Sequence, residues 1–502
     1  MASLASVKTW DETADVVVVG FGLSGAITAI EAHDTDAKAD VLILEKMPER
    51  WAGGNARASG QDMFSAKDVD GLMRHQRALN EANPVPEDVL RTWAEAVCTQ
   101  EPWVARLAKE AGRELHAGGD WGRSHVEWPE EPGADAITYL MTIRPHPSGV
   151  WETFKFHADK RPIRKWFETP VRDLVQDPDT LEIFGVIAER QGRKIAIRAR
   201  RAVVLCCGSF EGNLRMLRDY WGIDRVYSYG TPGNTGDGVR MLQKAGADLW
   251  HLRGPSHAAG FWPGFKVPDH ATPFMRNIRH PGFSWIEVAK DGRRFHDETS
   301  KLALERHWRR PFHGRWLDGL HKDVQPVHMI FDDRHRAGAS LALQEGMSWN
   351  AQVARIPWSQ DNLAELRKGW FVRADSLAEL AKTIGKDRGA IEAEVMRYNA
   401  ACNAGFDLDF DRARETMVPI EGPPFYAIEI IVGLPQAVAG GKRDKESRVV
   451  DTDGKPIPRL YEAGELGSTM VGRIQTGAFL TECVVFGRIA GRNAVAERPW
   501  AN

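Results

Sequence analysis

The chain has 502 residues, of which 43% are hydrophobic and 27% are charged, and its formal net charge is −3. This length favours two domains rather than one, and the near balance of charges excludes the basic surface typical of a nucleic-acid-binding protein. Because no apolar run reaches about 18 residues, we expect no transmembrane segment.

The N-terminus and the cysteines predict where the protein resides. The first residues, MASLASVKTWDETAD, contain no apolar core of a secretory signal. The five cysteines, Cys98, Cys206, Cys207, Cys402 and Cys483, form neither a CxxC pair nor a haem-attachment motif. Such an odd, scattered set is typical of reduced thiols, so we expect a cytoplasmic protein.

The first elements predict a βαβ unit. A run of four valines predicts a strand over residues 15–19, and the small residues that follow predict a helix from about Ser24. The apolar run VLILEK, which begins at Val41, predicts the second strand. The helix between them is then a crossover that joins two parallel strands.

The rest of the chain changes character twice. Residues 71–112 show helical patterns with one polar face, and KIAIRARRAVVLCCG predicts a strand, a turn at Arg200 and Arg201, and a second, buried strand. Residues 251–418 are rich in Trp, His, Arg and Pro and carry helical patterns. From Phe425 on, strand and glycine patterns return and lead into a long terminal helix.

A glycine-rich turn follows the first strand. Gly20, Gly22 and Gly25 form GxGxxG between a strand and a helix, and Glu45 ends the second strand. The glycines permit a tight turn, a close approach of backbone to a pyrophosphate, and close helix packing, while the acidic residue suits ribose hydroxyls. The N-terminus of the helix offers free N–H groups to an anion. This arrangement predicts a dinucleotide site; the alternative is a tight packing turn with a salt-bridged Glu45.

The segment after Glu45 distinguishes between FAD and NAD. It reads KMPERWAGGNARASGQ and contains a second glycine pair, Gly53 and Gly54, followed by Asn55. A glycine pair so close to the ribose site suits a backbone that wraps around the phosphates of FAD and then passes near the flavin. An ordinary surface loop is the alternative interpretation.

Together these motifs resemble the flavoprotein superfamily that includes fumarate reductase, succinate dehydrogenase and 3-ketosteroid Δ1-dehydrogenase. The matching segments cover nearly the whole chain: GFGLSG with Glu45, GGNARASG, LCCGSFEGN, NTGDGVRMLQKAGADL, KDGRRFHDE, PFYAIEI, LYEAGELGS and TGAFLTECVVFGRIAG. As an ordered set they are specific for the superfamily and much less specific for any substrate.

The resemblance implies an α/β fold in which a discontinuous Rossmann-like domain binds FAD and an inserted α+β domain caps it. We expect the FAD-binding domain to comprise residues 1–251 and 418–502, and the capping domain to comprise residues 252–417. In such proteins the Glu of the AGE motif holds the ribityl chain, amides at the start of the last helix face the flavin pyrimidine, and a backbone group at Val171 contacts adenine.

The full set of expected FAD-binding residues follows from these motifs. It comprises Gly20, Gly22, Leu23, Ser24, Gly25, Glu45, Lys46, Gly53, Gly54, Asn55, Ala56, Ser59, Gly60, Val171, Cys207, Gly208, Asn234, Asp237, Glu465, Ala478, Phe479 and Leu480. No His follows Ser59 in GQDMFSAKD, where succinate dehydrogenases carry their flavin-linked His, so we expect FAD to be bound non-covalently. We expect no metal.

The superfamily moves a hydride between flavin and a carbon, with a proton transferred at the neighbouring carbon. The proton-donor position of fumarate reductases, an Arg, and of ketosteroid dehydrogenases, a Tyr, falls here at Leu302, with Lys301 beside it. Fumarate reductases also hold their dicarboxylate substrate with a clamp that includes a His and an Arg. The corresponding stretch here, GLPQAVAGG, lacks the His, and the position of the Arg is occupied by Ile474, one step after Arg473. A substrate carboxylate would therefore lack its bidentate cation.

The candidate catalytic residues are those with a suitable group near the expected site. They are His257, Tyr426, Arg473, Lys301 and His296. His257 lies in a loop, GPSHAAGFWPG, which favours function, and Tyr426 could donate a hydrogen bond to a substrate carbonyl. The alternatives are a hydrogen-bonded surface His, a Tyr packed in a strand and a salt-bridged Arg.

The favoured hypothesis is an FAD oxidoreductase that acts on a C–C bond next to a carbonyl in a cyclic organic substrate, as a desaturase or an ene-reductase. Alternatives are a reductase of an unsaturated carboxylic acid, an amine or alcohol oxidase, and a flavin subunit that passes electrons to a partner. The sequence contains no haem motif and no Fe–S cysteine spacing. We therefore expect a small-molecule substrate and a separate electron donor or acceptor, such as a quinone, oxygen or a redox protein.

Overall fold

The computed structural model describes residues 2–81, 83–118, 126–145, 147–223, 226–252, 262–270, 272–300, 309–312, 315–318, 324–343 and 356–500. The chain forms two compact units. Unit 1 consists of Met1–Gly222, Gly230–Ala259 and Pro435–Asn502, and unit 2 consists of Ile223–Tyr229 and Gly260–Leu434.

The largest sheet of unit 1 has nine strands among the described residues. Seven of them lie in the spatial order Ala2–Ser3, Val171–Gln176, Ile183–Arg190, Arg193–Leu205, Glu12–Val19, Val41–Leu44 and Arg164–Trp166. Pro456–Glu462 pairs with Arg193–Leu205, and Arg448–Val450 pairs with Pro456–Glu462. The strands on either side of Glu12–Val19 run parallel to it, as the predicted βαβ unit requires.

The four valines of the first strand lie at the centre of this sheet. Val16 to Val19 pair on one side with the strand that begins at Val41 and on the other with the second half of Arg193–Leu205. All four are buried. A parallel strand covered on both faces takes a continuous apolar run rather than an alternating one, which explains why four valines occur in a row.

The predicted turn at Arg200 and Arg201 is wrong, because Arg193–Leu205 is one continuous strand. Its pairing with Glu12–Val19 shifts register between Ala199 and Ala202, as at a β-bulge. Arg200 forms an ion pair of 2.7 Å with the buried carboxylate of Asp15. The charged pair in the sequence therefore indicates a bulge rather than a chain reversal.

Helices and smaller sheets complete unit 1. The first helix, Leu23–Thr35, packs against the last, Ala478–Ala496, and a Cβ atom added at Gly491 would lie only 2.5 Å from the carbonyl oxygen of Thr28. The other α-helices are Gly54–Ala58, Val69–Asn80, Glu87–Thr99, Glu101–Glu110, Gly149–Lys160, Leu214–Trp221 and Asp237–Lys244. The smaller sheets are Met63–Ala66 with Ile137–Arg144 and Glu114–Ala117, and Leu249–Trp250 with Gly440–Gly441.

Unit 2 combines a mainly antiparallel sheet with helices. Seven described strands form the sheet: Phe274–Met275, Trp262–Phe265, Phe425–Leu434, Val327–Asp332 and Trp285–Val288 in spatial order, with Val226–Ser228 and Val372–Ala374 also paired to Phe425–Leu434. Arg309–Phe312 and Arg315–Asp318 form a separate pair. The α-helices among the described residues of this unit are Asp333–Gly338, Leu363–Arg367, Leu377–Thr383 and Arg388–Ala404.

The core of unit 2 lies between its sheet and the helices Leu377–Thr383 and Arg388–Ala404. Ile286, Ile330 and Ile391 are buried together there. The strand Phe425–Leu434 belongs to unit 2, whereas the sequence predicts it within the terminal segment 418–502. The reason is its pairing with several strands of that unit. Among the described residues, none of the helices combines the length and hydropathy needed to cross a bilayer.

Candidate functional site

Unit 1 contains a cavity at the carboxyl ends of three neighbouring parallel strands. Glu12–Val19 ends there with Gly20, Val41–Leu44 ends with Glu45, and Arg193–Leu205 ends with Cys206 and Cys207. In open α/β sheets ligands bind at this edge, next to the helices that follow the strands.

The turn GFGLSG is built from close backbone contacts. Gly20 has a φ of +102°, and a Cβ atom there would lie 2.5 Å from the carbonyl oxygen of Cys206. A Cβ atom at Gly25 would lie 2.0 Å from the carbonyl oxygen of Gly20. Gly22 is different, since an added Cβ atom would meet nothing closer than 3.8 Å. Gly20 and Gly25 are thus required by close contacts within the protein. Gly22 is not, and it lines the cavity.

The first helix presents its N-terminus at this cavity. Helix Leu23–Thr35 follows Gly22 at its N-cap, and no side chain caps it. Leu23 and Ser24, the first two helical residues, line the cavity. The first N–H groups of a helix have no partner within the helix, and together with the helix dipole they favour an anion such as a phosphate.

Glu45 is held in one orientation by the backbone. Its Oε2 accepts a 2.7 Å hydrogen bond from the N–H of Phe21, and its Oε1 accepts one of 2.7 Å from the N–H of Met47. Burial raises the pKa of Glu45, and the two backbone N–H groups oppose that effect. The carboxylate lines the cavity beside the glycine turn, with lone pairs left to accept from hydroxyl groups.

Lys46 forms a second polar group in the lining. Its Nζ donates hydrogen bonds of 2.7 Å to Asp237 Oδ2 and 2.8 Å to Thr235 Oγ1. Burial alone would raise the pKa of Asp237, but the charge and hydrogen bond of Lys46 bring it below its ordinary value. The Asp237 carboxyl group is therefore stabilised in its ionised form, and the ion pair joins the end of the second strand to helix Asp237–Lys244.

Asn55 links two buried carboxylates. Its Nδ2 donates to Glu211 Oε1 at 2.6 Å and to Glu465 Oε2 at 2.7 Å, and its Oδ1 accepts from the N–H of Thr231 at 3.0 Å. Asn234 Nδ2 also donates to Glu211 Oε1, at 2.6 Å. Burial raises the pKa of both acids, and the charge of Glu211 raises that of Glu465 further. Burial and their mutual repulsion therefore favour the protonated form of these acids.

The loop after Glu465 is anchored by another buried acid. Glu482, in the second turn of the last helix, accepts a 2.7 Å hydrogen bond from the N–H of Thr469 and forms an ion pair with Arg443. Glu462, at the end of its strand, accepts from the N–H of Gly441 at 3.2 Å. Burial raises the pKa of Glu462 to about 8.

Most of the predicted cofactor residues line this one cavity. Those that do are Gly20, Gly22, Leu23, Ser24, Glu45, Lys46, Gly54, Asn55, Ala56, Val171, Cys207, Gly208, Asn234, Asp237, Glu465 and Leu480. Gly25, Gly53, Ser59, Gly60, Ala478 and Phe479 do not. Gly25 packs on Gly20 and Gly53 pairs with Gly22, so these two shape the turn from behind.

Some lining residues were not predicted from the sequence. They are Val19, Leu44, Met47, Cys206, Thr231, Gly233, Met241 and Cys483. Glu211, which holds Asn55 and Asn234, was also missed. It lies in the segment LCCGSFEGN that carries the resemblance, and an acidic residue within a glycine-rich turn was the available signal.

The three described catalytic candidates are all engaged by carboxylates. In unit 2, the Tyr426 hydroxyl donates to Asp333 Oδ1 at 2.8 Å, and His296 Nε2 lies 2.9 Å from Glu287 Oε2. In unit 1, Arg473 does not line the cavity; it forms ion pairs with Glu131 and, at 3.2 Å, with Glu81, and donates to the carbonyl oxygen of Ala78. This arrangement matches the salt-bridge alternative for Arg473.

The other two candidates, His257 and Lys301, lie outside the described residues. Within the described part of the chain, no group of three or more His, Cys, Asp or Glu side chains is placed to hold a metal ion.

Comparisons with known proteins give a family and several relatives. The sequence profile of the FAD binding domain family matches residues 15–478. The digoxin reductase of Eggerthella lenta is 27% identical over 98% of this chain and 88% of its own length. The 3-oxosteroid 1-dehydrogenase of Mycobacterium tuberculosis is 30% identical over 56% of this chain and 50% of its own length. The chain spans only 51% of the NADH:acrylate oxidoreductase of Vibrio harveyi, at 26% identity over 97% of this chain.

Two solved structures share the fold. The 3-ketosteroid delta1-dehydrogenase of Sterolibacterium denitrificans has a TM-score of 0.76 and 21% identity over 97% of this chain and all of the other. The open conformation of a flavocytochrome c3 fumarate reductase has a TM-score of 0.69 and 22% identity over 97% of this chain and 78% of the other. The predicted fold class is thereby confirmed.

Proposed function

The chain belongs to the FAD binding domain family, and on this premise we propose that it is an FAD-dependent oxidoreductase that acts on CH–CH groups. The observation that carries the proposal is the cavity of unit 1, where GFGLSG, Glu45, Asn55 and Glu465 meet. Bound FAD supplies the chemistry of hydride transfer to or from a carbon atom. The chain's own residues bind and orient the cofactor and the substrate.

The residues of the cavity fit FAD. The uncapped N-terminus of helix Leu23–Thr35 suits the pyrophosphate, and the carboxylate of Glu45, fixed by two backbone N–H groups, suits ribose hydroxyls. Glu465 lines the same cavity, where its carboxyl group would hold the hydroxyls of the ribityl chain. The lining residues named above from the sequence are our proposed FAD contacts.

The substrate of this proposal is a cyclic compound with a C–C bond next to a carbonyl group. The names of two relatives, a digoxin reductase and a 3-oxosteroid 1-dehydrogenase, support a substrate of this kind. The ion pairs of Arg473 support this choice, because a guanidinium held by Glu131 and Glu81 has little capacity left for a substrate carboxylate. The alternatives are an unsaturated carboxylic acid, as the name of the acrylate oxidoreductase suggests, and a flavin subunit for electron transfer.

His257 and Lys301 are the proposed sources of proton transfer and carbonyl polarisation. The support is their position in sequence: the stretch GPSHAAGFWPG around His257 predicts a loop, and Lys301 lies beside the position that corresponds to the proton donor of the superfamily. Tyr426 and His296 remain candidates, although each would have to leave a carboxylate partner first. Electrons would come from or go to a separate quinone, oxygen or redox protein, and a cytoplasmic location is proposed from the thiol usage.

Anaerobic flavin spectroscopy of the holoenzyme tests the function. We expect 4-androstene-3,17-dione to bleach the oxidised flavin absorbance near 450 nm, or digoxin to restore it in enzyme reduced beforehand. Fumarate and acrylate should do neither. A protein that responds only to the two carboxylic acids would contradict the proposed substrate class, and one without bound flavin would contradict the function itself.

Two variants test the proton-transfer assignment. His257→Ala and Lys301→Ala should each lower kcat by about 10²–10⁴-fold if the residue acts as an acid, a base or an electrophile. Flavin content should stay unchanged. Lys382→Ala, at an exposed helical position, is the matched control and should keep wild-type kcat. Wild-type turnover in both test variants would remove these residues from the mechanism.

A further inference from the structure

Unit 2 contains a cavity of its own, lined by residues not discussed so far. Its volume is about 250 Å³, and Phe283, Trp285 and Met329 form apolar walls. A dry apolar cavity of roughly 150 Å³ is large enough to bind benzene. The space in unit 2 therefore accommodates a six-membered ring with small substituents.

The charged groups around this cavity already have counter-charges. Arg276 forms an ion pair with Glu287, and its guanidinium lies 4.8 Å from the centre of the Trp285 ring. Glu298 accepts hydrogen bonds from Arg294 at 2.7 Å and from Arg412 at 3.3 Å. A charged ligand would have to enter without a free counter-charge, which carries a large desolvation cost.

Two imidazoles supply polar groups to the lining. His280 and His335 stack with ring centres 3.9 Å apart. His280 lies 3.2 Å from the carbonyl oxygen of Ala339 through Nε2, and its Nδ1 accepts from the N–H of Gly282 at 3.0 Å. His335 is 1% exposed, and its Nδ1 has no hydrogen-bond partner among the described residues.

Both imidazoles are neutral near pH 7. Burial lowers the pKa of His280, and burial followed by the proximity of His280 lowers that of His335 well below its ordinary value. A neutral imidazole can donate or accept one hydrogen bond at each nitrogen, depending on its tautomer. His335 is thus able to bind a hydroxyl or carbonyl group without any change in net charge.

We propose that this cavity binds a small uncharged ring compound, with apolar contacts to Trp285 and Met329 and a hydrogen bond from a ligand hydroxyl or carbonyl to His335. Two kinds of ligand share this chemistry: the ring of a substrate, and a separate effector molecule. Binding of such a molecule requires no flavin chemistry, so its outcome is independent of the proposed oxidoreductase function.

Phenol and benzoate are the probes, since they share a ring and differ in charge. Isothermal titration of the holoenzyme should show saturable phenol binding and at least tenfold weaker benzoate binding. His335→Phe keeps a planar ring and should weaken phenol binding by about three- to tenfold. His270→Phe is the control: His270 packs edge-to-face against Phe274 and Trp370 in unit 2 but does not line the cavity, so phenol affinity should stay unchanged.

Three results would each overturn the proposal: equal affinity for phenol and benzoate, no phenol binding, or an unchanged phenol affinity in a folded His335→Phe variant. If that variant does not fold, the comparison of the two probes on the wild-type protein decides by itself. Phenol that raises KM without changing kcat identifies the cavity with the substrate ring. Phenol that changes kcat alone identifies a separate ligand site.

Discussion

Asn55 donates a 2.7 Å hydrogen bond to Glu465, although 410 positions separate the two residues in the chain. The same amide donates to Glu211 at 2.6 Å. One short side chain thus joins the segment GGNARASG, the turn LCCGSFEGN and the AGE motif. The orientation of the Glu465 carboxyl group at the cavity depends on this amide.

Replacement of Asn55 should therefore weaken FAD binding. Asn55→Ala removes the donor that orients Glu465, so Glu465 should lose its hydrogen bonds to FAD; a loss of about 2–3 kcal/mol in these contacts raises the dissociation constant for FAD by roughly 30- to 150-fold. Fluorescence titration of FAD into the apoprotein measures the change. Asn493→Ala, which removes a hydrogen bond to the carbonyl oxygen of Glu446, is the control and should bind FAD normally.

The glycines of GFGLSG should separate folding from binding. Gly25→Ala places a Cβ atom against the carbonyl oxygen of Gly20 and should destabilise the apoprotein by about 3 kcal/mol or more. Gly22→Ala meets no such contact, so it should cost less than about 1 kcal/mol in stability while it lowers FAD affinity. Thermal unfolding of the apoprotein and FAD titration report the two effects.

Gly389 provides the matched glycine control. It is exposed near the start of helix Arg388–Ala404, and an added Cβ atom would meet only the carboxylate of Asp387, at 3.3 Å. Gly389→Ala should leave FAD affinity unchanged and stabilise the protein by up to about 1 kcal/mol. The assignment of Gly22 fails if its Ala variant binds FAD as tightly as this control.

The flavin should be released by acid. No His follows Ser59 in GQDMFSAKD, so we predict that trichloroacetic acid leaves the yellow colour in the supernatant rather than in the precipitated protein. The absorbance of both fractions near 450 nm measures this. Flavin that remains with the washed pellet would show a covalent link and contradict the prediction.

Glu462 should make stability fall as pH rises. Its pKa is about 8 in the folded protein, against an ordinary value of about 4.5. Between these values the unfolded chain loses the proton and the folded chain keeps it, so the folded state is progressively disfavoured from pH 4.5 to pH 8. Glu462→Gln cannot ionise, and its Tm advantage over wild type should be larger at pH 8 than at pH 5.

The control for this pH effect is Glu392→Gln, at a surface position paired with Arg388. It should change Tm by little at either pH, because a solvated pair contributes less than about 1 kcal/mol. A Tm difference for Glu462→Gln that is the same at both pH values would show that the carboxyl group does not titrate in this range.

The ion-pair partners of Arg473 and of the strand Arg193–Leu205 lie far from them in the chain. The motif around Arg473 predicts a catalytic role, but the carboxylates that engage it, Glu131 and Glu81, come from segments more than 300 positions away. The double arginine predicts a turn when the local sequence is considered alone, but Arg200 pairs with Asp15 of a different strand. Neither partner could be identified from local pattern.

The sequence by itself determined the βαβ opening, the glycine turn and Glu45 at the strand end, because these depend on side-chain size and polarity within a few residues. The tertiary structure decided which side chains share the buried site. The pairing of Asn55 with Glu211 and Glu465, and the stacking of His280 on His335, follow from how strands and helices pack. Such contacts depend on three-dimensional proximity and on burial, which shifts the pKa of each group. Neither proximity nor burial can be predicted from the spacing of residues along the chain.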